Sequence, residues 1–129
     1  MRTLIQSKLS EINTIESGEI ISDDIIENNT TYFGYQINKS FVNSDMSKNY
    51  TYRVTITGYV TRRINSSENT TQIVDNASNE ILNKLKNLNF KCNCEDVSIS
   101  NNIRKARISG YTEYNEINNK LIIWNFKNI

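Results

Sequence analysis

Cys92 and Cys94 are the only thiols in this chain of 129 residues, and histidine is absent. Without histidine the chain lacks the commonest general base at neutral pH and the commonest metal ligand. The C-x-C spacing puts both thiols on one face of a strand, with no further Cys or His to complete a zinc shell. It suits neither a C-x-x-C redox motif nor an easy disulfide, so the pair reads as two partly buried free thiols. Asp23 and Asp24 lack the spaced oxygen ligands and the glycine of a calcium loop. The 4 glycines are scattered, which leaves no loop to cradle phosphate, and neither a nucleophile elbow nor a kinase signature is present. The expectation is a protein with no catalytic residues, no metal and no cofactor: not an enzyme, but a chain that works by binding and assembly.

Two kinds of binding remain. Tyr50, Tyr52, Tyr59 and Arg53 share one strand, with Arg62, Arg63, Arg104, Lys105 and Arg107 near it, a set that could stack bases and meet phosphates. Against this, Tyr50 and Tyr52 fall on the apolar side of the strand, where core packing explains them. An RNA-recognition fold also opens with a strand and carries a basic-Gly-aromatic signature, and this chain has neither. The 15 basic and 14 acidic residues give a net charge of +1, which argues against affinity dominated by phosphate neutralisation. Protein partners are the stronger reading. The candidate contact residues are Lys39, Asn43, Asp45 and Lys48 in a polar loop, because long polar loops on rigid sheets carry recognition. To these we add Arg53 and Tyr59 on the polar side of the strand, Arg62 and Arg63 at its end, and Trp124. Trp124 is the only tryptophan and lies beside Leu121, Ile122, Ile123 and Phe126, where it either closes the core or anchors an interface.

The elements that must position these residues follow from periodicity. Leu4, Ile5, Leu9 and Ile12 recur at helical spacing and predict an amphipathic helix over 2–13. Residues 13–31 form an acidic arm, with Glu16, Glu19, Asp23, Asp24 and Glu27 and no Lys or Arg, expected as irregular chain or a short strand. TYFGYQI at 31–37 predicts a strand, 38–49 a loop, and 49–62 the clearest strand of the chain. There Val54, Ile56, Gly58 and Val60 share one face with Tyr50 and Tyr52, and Thr51, Arg53, Thr55, Thr57 and Tyr59 share the other. Asn69 and Gln72 form a capping-box pattern before a helix whose stripe is Ile73, Ala77, Ile81, Leu85 and Leu88. Asn89 suits the left-handed turn that ends it. Residues 91–100 and 103–115 predict a hairpin turning at Asn101 and Asn102, and 117–129 a closing strand or docking tail. The expectation is a single α+β domain over 1–129, in the order α-β-β-α-β-β-(β), an antiparallel sheet with both helices packed on one face. A short echo, ITGY at 56–59 and ISGY at 108–111, suggests two αββ halves, with each glycine placed where a helix crosses the sheet closely.

Asn and Ile are abundant and Pro is absent, a bias of A/T-rich codons that also explains the many Asn-x-Ser/Thr sequons. The N-terminus lacks the apolar core of a signal peptide, and no stretch approaches the roughly 18 apolar residues of a membrane span. The protein is expected in the cytoplasm of the cell that makes it, with no membrane partner.

The succession MRTLIQSKLSEI, TYFGYQI, NYTYRVTITGYV, TQIVDNASNEILNKLKNL and KARISGYTEYN resembles that of bacteriophage tail terminator (tail-completion) proteins, over residues 1–115 or so. Where members commonly have a proline entering the first strand, this chain has Asn29-Thr30-Thr31. The resemblance implies a homo-oligomeric ring, usually a hexamer, at the head-proximal end of the virion tail. Such a ring docks on the last ring of the tail tube protein, stops its polymerisation, and offers a surface to the neck or connector protein. In a contractile tail it also implies contact with the sheath protein, and DNA passes the pore without sequence-specific binding. Another phage neck or head-tail connector protein, or a small nucleic-acid-binding α+β module, are the alternatives.

Overall fold

The computed structural model describes residues 2–19, 26–44, 49–100, 102–117 and 120–122. The amphipathic start forms helix α1, Arg2–Ser10, which buries Ile5 and Leu9. It stops short of residue 13, but two i→i−3 bonds (Glu11 N to Lys8 O, 3.2 Å; Ile12 N to Leu9 O, 3.1 Å) tighten the exit and carry Ile12 into the core. Helix α2, Thr70–Asn87, is capped by Asn69, whose side chain accepts from the Gln72 backbone N–H at 3.1 Å. The capping box is only half made, because the Gln72 amide donates onward to Asn76 Oδ1 rather than back to the cap. The buried stripe is Val74, Ala77, Ser78, Ile81, Leu85 and Leu88, with Ile73 only half-buried, so it starts one residue later than expected. At the C-terminus Asn89 adopts φ 65°. Phe90 N–H reaches Leu85 O (3.0 Å) and Asn89 N–H reaches Lys86 O (2.9 Å), a Schellman closure that buries Phe90.

The strands are β1 (Glu16–Glu19), β2 (Thr31–Ser44), β3 (Asn49–Arg63), β4 (Lys91–Ser100), β5 (Ile103–Ile117) and β6 (Lys120–Ile122). They form one sheet in the order β1-β2-β3-β5-β4, with β6 on the far end of β5. The fold is α+β, as expected. Two features differ from expectation. Part of the acidic arm is a short strand, β1, one of its two expected forms, but it runs parallel to β2, so the sheet is mixed rather than purely antiparallel. The segment expected as a loop at 38–49 is largely strand: β2 continues through a bulge between Phe41 and Asn43 and pairs with β3 as far as Ser44↔Tyr50.

Both helices pack on one face. Ile5 and Leu9 of α1 and Val74, Ile81 and Leu85 of α2 share a core with Phe33, Tyr35 and Ile37 of β2, Val54, Ile56 and Val60 of β3, and Ala106 and Ile108 of β5. A smaller cluster, Ile26, Tyr32 and Ile103, lies on the opposite face, where the chain entering β2 crosses the sheet. The two glycines of the echo meet at the centre of the sheet, with Gly58 opposite Ile108 and Ile56 opposite Gly110. The close approach they permit is not to a helix, as expected, but to the neighbouring strand. A Cβ on Gly58 would lie 2.5 Å from Gly34 O and 2.8 Å from Tyr35 Cα of β2, and one on Gly110 2.6 Å from Cys92 Cβ and 2.9 Å from Lys91 O of β4. Each outer strand thus leans on its own glycine, and each half of the chain is a helix followed by a hairpin.

Because backbone atoms cannot yield as a flexible side chain can, Gly58→Ala is expected to destabilise the fold by about 1–3 kcal/mol or more. Gly18→Ala, with nothing within 4 Å of its Cβ, should leave the urea midpoint nearly unchanged. Equilibrium unfolding of the two variants checks this.

Candidate functional site

The core ends before the sheet does. Arg2, at the start of α1, donates to Ile37 O at 3.3 Å, and β2 and β3 run on past that point as a hairpin arm. On the helix side of the arm, the side chains that continue the core face form an aromatic shelf. Tyr52 stacks on Tyr114 with ring centroids 5.8 Å apart, and Phe41 packs edge-on to Tyr52 at 5.9 Å and tilted to Tyr50 at 6.4 Å. Lys39 sits with its Nζ 4.1 Å from the centre of the Tyr52 ring. Tyr114 is buried, whereas Phe41 is 57%, Val42 42% and Tyr50 37% exposed. Phe41 and Tyr50 are thus large rings left partly in water beside Tyr52 and Tyr114, and among the described residues cation–π and aromatic pairs hold them.

Among the described residues, the other face of the sheet carries no helix. On it β3 presents Thr51, Arg53, Thr55, Thr57 and Tyr59, and β5 presents Arg107, Ser109, Tyr111, Glu113 and Asn115. Its polar groups are paired across strands: Thr51 Oγ1 to Asn115 Oδ1 (2.9 Å), Ser109 Oγ to Asn93 Oδ1 (2.9 Å), Arg107 to Glu95 (3.1 Å) and Arg53 to Glu113 (3.4 Å). Arg53 also lies 5.0 Å from the Tyr111 ring, and Lys105 5.9 Å from Tyr59. A shallow groove of about 500 Å3 crosses this face, lined by Arg53, Thr55, Thr57, Asn93, Ser109 and Tyr111 among others. Exposed ion pairs of this kind contribute only about 0–1 kcal/mol each, so the face is available for contact at small cost to the fold.

Those of the residues expected to meet partners that the structure describes divide into three groups. Arg53 and Tyr59 share the open face, as expected. Lys39 is exposed on the arm but on its aromatic side, and Asn43 pairs with Thr51 along the arm. Arg62 and Arg63 serve the fold instead. Arg62 is only 8% exposed and grips Glu68 with Nε (2.7 Å) and Nη2 (2.8 Å), while Nη1 donates to Thr31 Oγ1 (2.8 Å). Arg63 donates to Ile26 O at 3.0 and 3.3 Å and so pins the chain that crosses the sheet. Asp45, Lys48 and Trp124 lie outside the described residues, as do Asp23 and Asp24. Sequence reasoning missed Phe41 and Tyr114; the signal was present in Ile37, Lys39 and Phe41, which keep the alternation of the preceding strand.

Both thiols are free and half-buried against the core. Burial pushes both above the ordinary thiol range, which keeps them protonated and poor nucleophiles. Among the described residues no group of three or more acidic, Cys or His side chains is placed to hold a metal ion, and no helix is long and apolar enough to cross a membrane. Comparison with protein-family models and with curated proteins finds no match to this chain.

The hydrogen bonds from Arg62 hold the Glu68 carboxyl below the usual carboxylate range. A folded-state pKa below the unfolded one means the stability Glu68 adds is fully present above the unfolded value, about 4.3. It is lost as pH falls through the folded value. Glu68→Gln should therefore lower the urea midpoint at neutral pH, and the gap to the natural protein should close on acidification.

Proposed function

We propose that this chain is a structural assembly protein, a phage tail terminator that forms a ring on the end of the tail tube. The observation that carries the reading is the arm. β2 and β3 extend beyond the helical layer, and this extension, together with the open polar face behind it, supplies partner surface. Several features support it. The segments that resemble the terminator family form the elements they imply in the same order: α1, then β2, β3, α2 and β5. One face of the sheet packs against both helices, while the other is polar and paired across strands, a surface that can meet a neighbour or a lumen. A ring requires a heterologous contact, in which two different patches of the same protein meet around a closed circle. The arm and the open face are two such patches.

The mechanism is steric. Docked on the last ring of tube subunits, the terminator covers the surface on which the next ring would grow and presents a different surface to the neck protein. No bond is made or broken, and DNA passes through the pore without being read. A nucleic-acid-binding module is the second reading, favoured by the Arg53–Tyr111 and Lys105–Tyr59 pairs on the open face; it requires binding that weakens steeply with salt.

The mass of the purified protein, alone and with polymerised tail tube, separates these readings. A hexamer-sized ring, free or only on tube ends, is the expected result. A monomer indifferent to tube would rule out the terminator and bring forward a different neck protein or the nucleic-acid module. Arg53→Ala is expected to cost at most about 1 kcal/mol of stability while weakening assembly, whereas Arg62→Ala should lower the urea midpoint much further.

A further inference from the structure

We propose that the outer edge of β4 pairs antiparallel with the same edge of a second copy, centred on Asn93, to give a two-fold symmetric dimer with one continuous sheet. β4 closes the strand path, and among the described residues no strand pairs with its outer side. Such an edge presents a row of backbone N–H and C=O groups that another strand can meet. A two-fold axis perpendicular to the sheet keeps each face on its own side, so residues of one face meet residues of the same face. Lys91, Asn93 and Glu95 lie on the open face, across from Tyr111, Ser109 and Arg107 of β5. Cys92 and Cys94 lie on the helix face, across from Gly110 and Ile108.

The side chains select both the partner and the register. With Asn93 opposite Asn93, Lys91 of each copy faces Glu95 of the other, and Cys92 faces Cys94. Lys91 is exposed and has no ion-pair partner among the described residues. Arg107 engages Oε1 of Glu95, and Oε2 is left for a lysine. Asn93 spends its Oδ1 on Ser109, and its amide N–H groups are left for the opposite Asn93. On the helix face the half-buried thiols meet as small apolar groups. Moving the centre destroys this match. At Cys94, Lys91 faces Val97 and Asp96 faces Cys92; at Glu95 or Asp96 the central pair is carboxylate against carboxylate, which disfavours the pairing. The helices leave room. α2 packs over β3, β5 and β4, of which β5 is the middle strand. Three interstrand steps, about 14 Å, therefore separate the two copies of α2, more than the roughly 8–10 Å of helices in contact. The contact uses neither the arm nor Arg53 and Tyr59 of the open face, so it stands whether or not a ring forms.

Sedimentation equilibrium of the full-length protein at low salt reads this contact, and a monomer–dimer equilibrium is expected. Lys91→Glu and Glu95→Lys each set two like-charged pairs across the interface, at sites exposed enough to leave the fold intact. Each variant alone should dimerise about tenfold more weakly, or worse. An equimolar mixture of the two should dimerise as the natural protein does, because every pair across the mixed contact is again lysine against carboxylate. Arg53→Ala should leave the dimer unchanged. A natural protein that stays monomeric at high concentration overturns the proposal, as does an association that neither reversal weakens or that mixing does not restore. A ring that Arg53→Ala weakens and both reversals leave intact overturns it as well, while the terminator reading survives.

Discussion

Ile56 lies opposite Gly110 and Gly58 opposite Ile108 where β3 and β5 run side by side, so each row at the centre of the sheet holds one large side chain and one bare backbone. The arrangement does two things at once. The isoleucines fill the space under the helices, and the glycines let β2 and β4 close in from either side to distances no Cβ would allow. Any slip of one residue between β3 and β5 would turn Val54, Ile56 and Val60 outward and bring Arg53, Thr55 and Thr57 into the core. It would also remove the glycines from the points of approach. The register of this central pair therefore fixes the place of both outer strands, and through them the place of each helix.

With that register set, the two ends of the sheet are handled differently. At the Arg62 end, buried charge does the fastening: Arg62 joins the approach to α2 to β3 and to Thr31, and Arg63 holds the crossing chain by the Ile26 carbonyl. Removing one member would strand a buried partner, which is why such pairs are sensitive to truncation even when their net contribution is small. At the arm end there is no such clamp among the described residues. Cross-strand aromatic and cation–π contacts hold the hairpin, and these tolerate water.

This difference also explains which parts of the structure were legible in the sequence. The alternation of β3 is imposed by a core on one side and water on the other, so it shows plainly, as do the Asn69 cap and the Asn89 turn, which depend on local backbone chemistry. The continuation of β2 through NKSFVNS was obscured because its outer half lies beyond the helices. With no core to select apolar residues at every second position, a strand there looks like a loop. ESGE of β1 carries no strand signal, since four residues paired parallel to an edge rely on their neighbour rather than their own propensity. Arg62 and Arg63 read as surface charge because their partners, Glu68, Thr31 and the Ile26 carbonyl, depend on how loops return to the sheet. Of the candidate site, Arg53 and Tyr59 were legible from face alternation, while the aromatic shelf needed the extended strand to be seen first.

A hairpin of two strands is marginal in water on its own, so the arm must draw its rigidity from elsewhere. Ordering each of its residues costs about 1–2 kcal/mol of backbone entropy, and an aromatic pair returns only about 0.5–1.5 kcal/mol. The rings of Phe41, Tyr50 and Tyr52 cannot hold it by themselves. What makes the difference is width: the end of β5 lies along β3 from Val54↔Thr112 to Asn49↔Ile117, and β6 lies along the end of β5. The arm is thereby four strands across, and Tyr114 of β5 supplies the buried anchor of the shelf. Because β6 comes from the C-terminal part of the chain and β2 from the N-terminal half, the arm can be stiff only after the whole domain has folded.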